Sequence, residues 1–519
     1  MQATDKTTEK ERFEMIKKEH EISPNLEKAR AYERRKEMEV GKERPVFHLT
    51  PRVGWLNDPN GFSYYNGMYH LFYQYNPYRP FWGPMHWGHA VSKDLLHWSY
   101  LPAALAPDQP YDNGNGCFSG SAQTLADGRQ MLMYTGVSWK KQPDGSMKEI
   151  QQQCIALGDG SSYEKYEHNP VISSDQLPIG YDKSNFRDPK IWNESDGSWR
   201  CVAVSRNASN GGAVLLFESP NGFSWKLKNI LAQNSGRFGK MWECPDFFEL
   251  DNQNVLIVST MEMEAEGLEY PNGNGVVCQI GRYDDTTGHF ERQKDQSLDY
   301  GIDFYAPQTM LAPDGRRILI GWMQNLAFVN QHSEDEPYFG QLTIPRELTI
   351  RNNRLIQWPV RELDACRENP VSYRDVVVSG EKRLDGIEGR VADIELSIQP
   401  ENDSNDDSEN GYQLFEMRFA QNGNHYVALR YRPHESELEI DRSYWGLRNA
   451  FVHKRSCKVR NQGGVLKLRV VLDRFSGEIF ANDGEQVMSI TFQTDDAANK
   501  ISFVADGLVR LNVTKYEVK

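Results

Sequence analysis

Ser92-Lys93-Asp94-Leu95-Leu96-His97-Trp98 is echoed later in the chain by Ser219-Pro220-Asn221-Gly222-Phe223-Ser224-Trp225. Both copies put a turn ahead of a Trp that can close an outer strand, as the blades of a propeller require. The surrounding texture is β. Short aromatic and β-branched runs at 68–75, 130–135 and 255–260 are broken by the turn dipeptides Asn60-Gly61, Asn66-Gly67, Asp127-Gly128 and Asn221-Gly222. Many short strands with frequent turns imply a propeller, a sandwich or a barrel, and the repeat favours the first.

The two ends of the chain differ from this middle. After Trp358 the pattern shifts to alternating strands such as 466–472 and 478–481, predicting a separate β-sandwich whose boundary lies between Trp358 and Tyr373. Residues 401–410 are acidic, Ser/Asn-rich and without an apolar side chain, and read as a mobile loop with no chemistry. Residues 1–42 are charge-dense and read as helix. Ser23-Pro24 punctuates them as an N-cap followed by a first helical position, so two short helices are expected. Phe13 and Ile16, then Leu26, Ala29 and Tyr32, would let these helices lie on the body or on a second subunit; a frayed solvated arm is the plainer alternative. A homo-oligomer would use these helices or the sandwich.

Composition narrows the function classes. Of 519 residues, 39% are hydrophobic and 25% charged, a soluble globular balance, and no long uncharged apolar run suggests a membrane span. Acids outnumber Lys and Arg by 73 to 59, a net charge of -14 that would repel nucleic acid. The seven cysteines (Cys117, Cys154, Cys201, Cys244, Cys278, Cys366 and Cys457) are odd in number and never in CxxC spacing. Neither a disulfide framework nor a zinc site is indicated. Residues 1–41 lack the basic stub, apolar run and cleavage site of a signal peptide, so a cytoplasmic protein is expected.

Among so many acids, three stand in unusual contexts. Asp58 in Trp55-Leu56-Asn57-Asp58-Pro59-Asn60-Gly61 lies between an amide and a Pro-Asn-Gly turn, which predicts a rigid strand end. An Asx turn capping a hairpin would explain the segment as well. Asp188 in Asn185-Phe186-Arg187-Asp188-Pro189 neighbours a guanidinium that favours its ionised form, although a structural ion pair is the competing account. Glu243 in Trp242-Glu243-Cys244-Pro245-Asp246 is flanked by apolar bulk, whose desolvation would raise its pKa toward that of a general acid. A buried Glu satisfied by backbone would look the same.

In this order WLNDPNG, FRDP and WECPD resemble the signature blocks of glycoside hydrolase family 32, the invertases, fructan hydrolases and sucrose-6-phosphate hydrolases. The resemblance continues through Tyr73 to Pro77, Trp82-Gly83, Phe118 to Ser121, Phe304 to Gln308, Gly321 to Met323 and Leu342 to Arg346. It extends into the tail at Val471 to Arg474 and Glu478 to Asn482. It implies an all-β protein, a five-bladed β-propeller followed by a β-sandwich, here assigned to residues 43–360 and 361–519; the helical extension 1–42 read above has no counterpart in the resemblance. Consistently, Asp58, Ser119, Asp188, Glu243 and Tyr305 are separated by 61, 69, 55 and 62 positions, about one four-stranded blade each.

The resemblance further implies a retaining β-fructofuranosidase, with Asp58 as nucleophile, Glu243 as acid/base and Asp188 as transition-state stabiliser. Asn57, Gln74, Ser119 and Arg187 would bind a furanose, walled by Trp82, Phe118, Tyr305 and Trp322. No metal and no organic cofactor is called for, and Cys244 is expected to shape the pocket. A phosphorylated substrate would need Lys or Arg at the rim, where the segment around Arg79 supplies only one. Sucrose and short fructo-oligosaccharides therefore lead. Sucrose-6-phosphate hydrolysis and fructosyl transfer by the same triad stay open. A fructan-binding propeller without activity would be expected to lose an acid, and the WLNDPNG block speaks against an inverting arabinan hydrolase.

Overall fold

The computed structural model describes residues 22–40, 44–234, 236–327, 329, 331–401, 411–446, 452–495 and 497–519. Five antiparallel sheets, taken in chain order, form the blades of a propeller, and a larger sheet follows them. Blade 1 comprises Gly54–Tyr65, Met68–Asn76, His86–Ser92 and Trp98–Leu105. Blade 2 comprises Gly116–Thr124, Gln130–Lys141, Met147–Gly158 and Tyr163–Lys165. Blade 3 runs through Arg187–Asn193, Trp199–Arg206, Gly212–Ser219 and Lys226–Gln233, and blade 4 through Met241–Leu250, Gln253–Met263, Gly273–Asp284 and His289–Ser297. Blade 5 has Tyr305–Leu311, Arg317–Trp322, Arg346–Arg351 and Arg354–Pro359. Between its second and third strands the chain reaches across to blade 1, where Tyr338–Phe339 pairs in parallel with Gly54 and Trp55 and closes the ring. Phe339 stacks on Trp55 at 5.3 Å between centroids.

The repeated heptads build the same turn twice. In blade 1 the Ser92 hydroxyl accepts from the Asp94 amide, and the Asp94 carboxylate accepts from the His97 amide. In blade 3 Ser219 and Asn221 take those parts, with the Phe223 and Ser224 amides donating to the Asn221 side chain. Each turn delivers the chain to the outermost strand, which starts at Trp98 in one case and one residue after Trp225 in the other. Asn66-Gly67 and Asp127-Gly128 also form hairpin turns. Asn60-Gly61 does not: the strand Gly54–Tyr65 runs straight through it and absorbs the irregularity as two register shifts. Gly61 is nevertheless obligatory, since its φ is +52° and a Cβ there would lie 2.6 Å from the Phe72 ring.

Of the two N-terminal helices expected, the first, with Phe13 and Ile16, lies outside the described residues. The second is helix α1, Pro24–Lys36, capped by Ser23, whose hydroxyl accepts from the Leu26 amide at 3.2 Å. It docks on the edge of blade 1. Arg30 Nε donates to the Ala103 carbonyl at 2.9 Å, and the Ala103 amide donates to Glu33 at 3.1 Å. Leu26 and Ala29 are buried beneath it. Of the expected loop 401–410, all but Glu401 lies outside the described residues.

The tail is one hydrogen-bonded sheet folded around its own core. Its last strand, Lys500–Val518, pairs with Tyr412–Asn422 along its first half and with Ala392–Pro400 along its second, so one strand serves both layers. Phe415, Met417, Leu468, Ile479 and Phe503 lie between the layers. A second core runs from blades 1 and 5 into the sandwich and includes Val471, Phe480 and Val487. All seven cysteines are free, and all but Cys366 are buried. Among the described residues no helix is long and apolar enough to cross a membrane.

Candidate active site

The first strand of each blade faces the propeller axis, and each slips register near its start. The shifts fall between Leu56 and Pro59, Phe118 and Gly120, Arg187 and Lys190, Glu243 and Asp246, and Tyr305 and Gln308. Bulges of this kind re-aim side chains and strengthen twist. Asp188, Cys244 and Ala306 sit in them with φ of +62°, +47° and +47°, although none is glycine. A residue held there costs on the order of 1–3 kcal/mol and persists because its surroundings enforce it. The enforcement is visible: the Asp188 amide donates to Thr135 Oγ1 at 2.9 Å, the Cys244 amide to Asp188 Oδ2 at 2.8 Å, and the Ala306 amide to Ser259 Oγ at 3.1 Å.

The bulges gather three carboxylates at one mouth of the axis, in a cavity of about 560 Å³. Asp58 accepts from Ser119 Oγ at 2.7 Å and from Asn57 Nδ2 at 3.0 Å, with Cys244 Sγ 3.4 Å away. Asn57 is itself held by Trp55 Nε1 at 2.7 Å. Burial pushes the Asp58 carboxyl up, the Ser119 hydroxyl pulls it back, and the charge of Glu243 pushes it up again. Glu243 accepts from Arg187 at 2.8 Å on one oxygen and from the Tyr305 hydroxyl at 2.7 Å on the other. Burial and the same carboxylate hold the Tyr305 phenol well above its ordinary pKa, so it serves as a donor. Gln74 is anchored to the Cys117 carbonyl at 2.9 Å. Trp82 stands 45% exposed at the rim, edge-on to Phe118. Trp322 lies deeper, and among the described residues its buried indole N–H has no partner. Asn57, Asp58, Gln74, Trp82, Phe118, Ser119, Arg187, Asp188, Glu243, Tyr305 and Trp322 thus line one cavity.

Below this floor Lys190, Asp246 and Gln308 meet on the axis, with Lys190 Nζ 3.1 Å from Asp246 and 3.3 Å from Gln308 Oε1. A second cavity, of about 620 Å³, is lined in part by later residues of the same inner strands, among them Thr124, Asn193 and Leu311, and holds none of the three carboxylates.

Two local expectations are corrected. Arg187 does not keep Asp188 ionised: its fork is turned to Glu243, leaving Nε 3.8 Å from Asp188 Oδ2. Burial, only partly offset by Arg187 and reinforced by the charges of Glu243 and Asp58, pushes the Asp188 carboxyl up to about 7. Nor is Glu243 wrapped in apolar bulk. Trp242 turns into the core between blades, its N–H on the Phe238 carbonyl, and Cys244 points to Asp58, so Glu243 is held by polar donors. Arg79 is exposed and does not line the cavity.

Other lining residues were not expected from the sequence to line the site. Asn115, Glu149, Gln151, Ser184 and Asn185 border the cavity on the side of blade 2. Asn185 accepts from Arg187 at 3.0 Å, and Gln151 accepts from it at 3.4 Å. Glu149 and Gln151 come from the third strand of blade 2, Ser184 and Asn185 from a short turn ahead of the first strand of blade 3, and Asn115 directly precedes the first strand of blade 2.

Residues 48–359 match the family model for the N-terminal domain of glycosyl hydrolases family 32, and residues 362–519 match the model for its C-terminal domain. The chain is 37% identical to a sucrose-6-phosphate hydrolase of Escherichia coli, over 89% of this chain and 91% of that protein. It is 38% identical to a raffinose invertase of Escherichia coli, over 89% and 92%. Among solved structures, a variant of a Bombyx mori GH32 beta-fructofuranosidase in complex with sucrose superposes with a TM-score of 0.80 at 31% identity, covering 96% of this chain and 99% of that one. A sucrose-6-phosphate hydrolase from Lactobacillus gasseri gives 0.79 at 26%, covering 95% and 96%. The chain therefore belongs to glycosyl hydrolases family 32, and the protein is a glycoside hydrolase.

Proposed function

We propose that the enzyme hydrolyses the terminal β-D-fructofuranosyl bond of sucrose and short fructo-oligosaccharides, with retention through a covalent fructosyl-enzyme. The observation that carries this reading is the different dress of two carboxylates in one cavity. Asp58 receives only short neutral donors that fix its oxygens, which suits attack on the fructosyl anomeric carbon. Glu243 is oriented on both oxygens by Arg187 and Tyr305. It protonates the leaving glycosidic oxygen in the first step and takes a proton from water in the second. Asp188, pinned by the Cys244 amide, binds sugar hydroxyls and stabilises the oxocarbenium-like transition state. Asn57, Gln74, Ser119 and Arg187 position the furanose, and Trp82, Phe118, Tyr305 and Trp322 wall it.

Sucrose-6-phosphate is the second reading, suggested by relatives of that name. The mouth offers it little, because Arg187 is the only Lys or Arg among the described lining residues and it is engaged by Glu243. Fructosyl transfer would use the same three acids. Asp58→Asn and Glu243→Gln should each lower sucrose hydrolysis about a thousandfold or more while leaving circular dichroism and melting temperature near wild type. Near-normal turnover in either variant refutes the roles. A product-resolved assay on sucrose, sucrose-6-phosphate, 1-kestose, inulin and levan separates the substrates and separates water from sugar acceptors. NMR of the first-formed anomer tests retention.

A further inference from the structure

The rim on the side of blade 2 holds an acid that none of these roles uses. The inner strand of that blade ends its pairing at Gly116, opposite Val137, but the two strands outside it continue to Lys141 opposite Met147. Glu149, paired with Trp139, stands on this overhang at the mouth of the cavity. Each of its carboxylate oxygens receives one amide: Asn115 Nδ2 at 2.6 Å and Gln151 Nε2 at 2.7 Å. Gln151 in turn accepts from Arg187, whose other nitrogen donates to Glu243. A continuous chain of polar contacts thus runs from the mouth to the group proposed to protonate the departing oxygen. With Glu243 protonating the glycosidic oxygen, the departing sugar would face the mouth, where this chain of contacts ends.

We propose that Glu149 selects the leaving group, accepting hydroxyls of a neutral glycosyl unit and repelling one that carries a phosphate. The proposal rests on the fructofuranosidase reading above and names what its leaving-group end takes. Each carboxylate oxygen has lone pairs left after its amide contact, and a sugar hydroxyl can fill them. A phosphomonoester brings about -1.5 to -2 charge at neutral pH, and cations normally receive it. Here the only cation among the described lining residues is committed to Glu243, and the rim presents a like charge instead.

The test is kcat/KM for sucrose and for sucrose-6-phosphate, in wild type and Glu149→Gln, at low and high salt. The wild type should favour sucrose, and Glu149→Gln should move the ratio toward the phosphorylated sugar by about tenfold. In the wild type the preference should also narrow as salt rises, since the screening length shrinks from about 30 Å at 0.01 M to about 3 Å at 1 M. An unchanged ratio in the variant, a salt-independent ratio in the wild type, or a wild-type preference for sucrose-6-phosphate overturns the proposal. Turnover of sucrose with an unchanged ratio removes Glu149 alone, whereas failure to cleave either sugar removes the fructofuranosidase reading with it.

Discussion

Arg187 has two carboxylate neighbours and serves one. With its fork on Glu243, Asp188 keeps only a distant Nε and one backbone amide against the charges of two other acids. Burial therefore holds the Asp188 carboxyl up to about 7, and its charge forms as pH rises through that value. Neutralising Glu243 should act on it twice, removing a repelling charge and freeing the guanidinium. Carbon-13 NMR of labelled aspartate should show Asp188 titrating near 7 in the wild type and at least a full unit lower in Glu243→Gln. An ordinary value near 4 in the wild type would contradict this electrostatic picture. The three acids were legible because each sits in a short run whose chemistry is local. Their pairing was not: FRDP sets Arg187 beside Asp188 in sequence, but the positive φ of Asp188 turns the two side chains to different partners. Thr135, Gln151 and Glu149 were invisible for another reason, being ordinary strand residues of one hairpin that only the fold brings to the site.

At the scale of elements, helix α1 acts as a cover for a sheet edge. Trp98–Leu105 is the outermost strand of blade 1, and an open edge invites pairing with other chains. Arg30 and Glu33 satisfy both backbone groups of Ala103, with Leu26 and Ala29 packed below. Burial pushes Glu33 up to about 7, only partly relieved by that amide and by Arg52, which shows how closely the helix is seated. Removing residues 1–36 should lower the melting temperature by several degrees and promote association through blade 1. Light scattering and calorimetry on the truncated chain would read both, and an unchanged melting temperature with unchanged mass would show the cover to be dispensable. The Ser-Pro start of this helix and the paired heptad turns were readable because capping and turn chemistry are local. Asn60-Gly61 misled because a bulged strand and a turn ask for the same residues: both need a positive φ.

Across the whole molecule, the propeller and the sandwich are joined by buried charge as well as by a shared apolar core. Arg346 of blade 5 reaches Glu478 of the sandwich at 2.5 Å and Asp299 at 3.0 Å, all three without exposure. Arg442 of the sandwich reaches Asp303 at 2.6 Å. His48, just ahead of blade 1, spans Asp473 at 2.8 Å and Glu478 at 3.0 Å. Burial alone would pull the imidazole down, but the two carboxylates outweigh it and hold it up to about 9. A folded-state pKa raised above the ordinary 6.5 gives stability that is complete below that pH and fades as pH rises through 9. A shift of this size corresponds to on the order of 3 kcal/mol. The urea midpoint should therefore fall between pH 6.5 and 9.5 in the wild type. His48→Asn should be destabilised at pH 6.5 by a comparable amount, since Asp473 and Glu478 lose the imidazolium between them, and should decline less than the wild type over the same window. A wild-type midpoint that stays level to pH 9.5, or a variant that declines in parallel with it, would show that His48 does not carry the charge that binds the two modules.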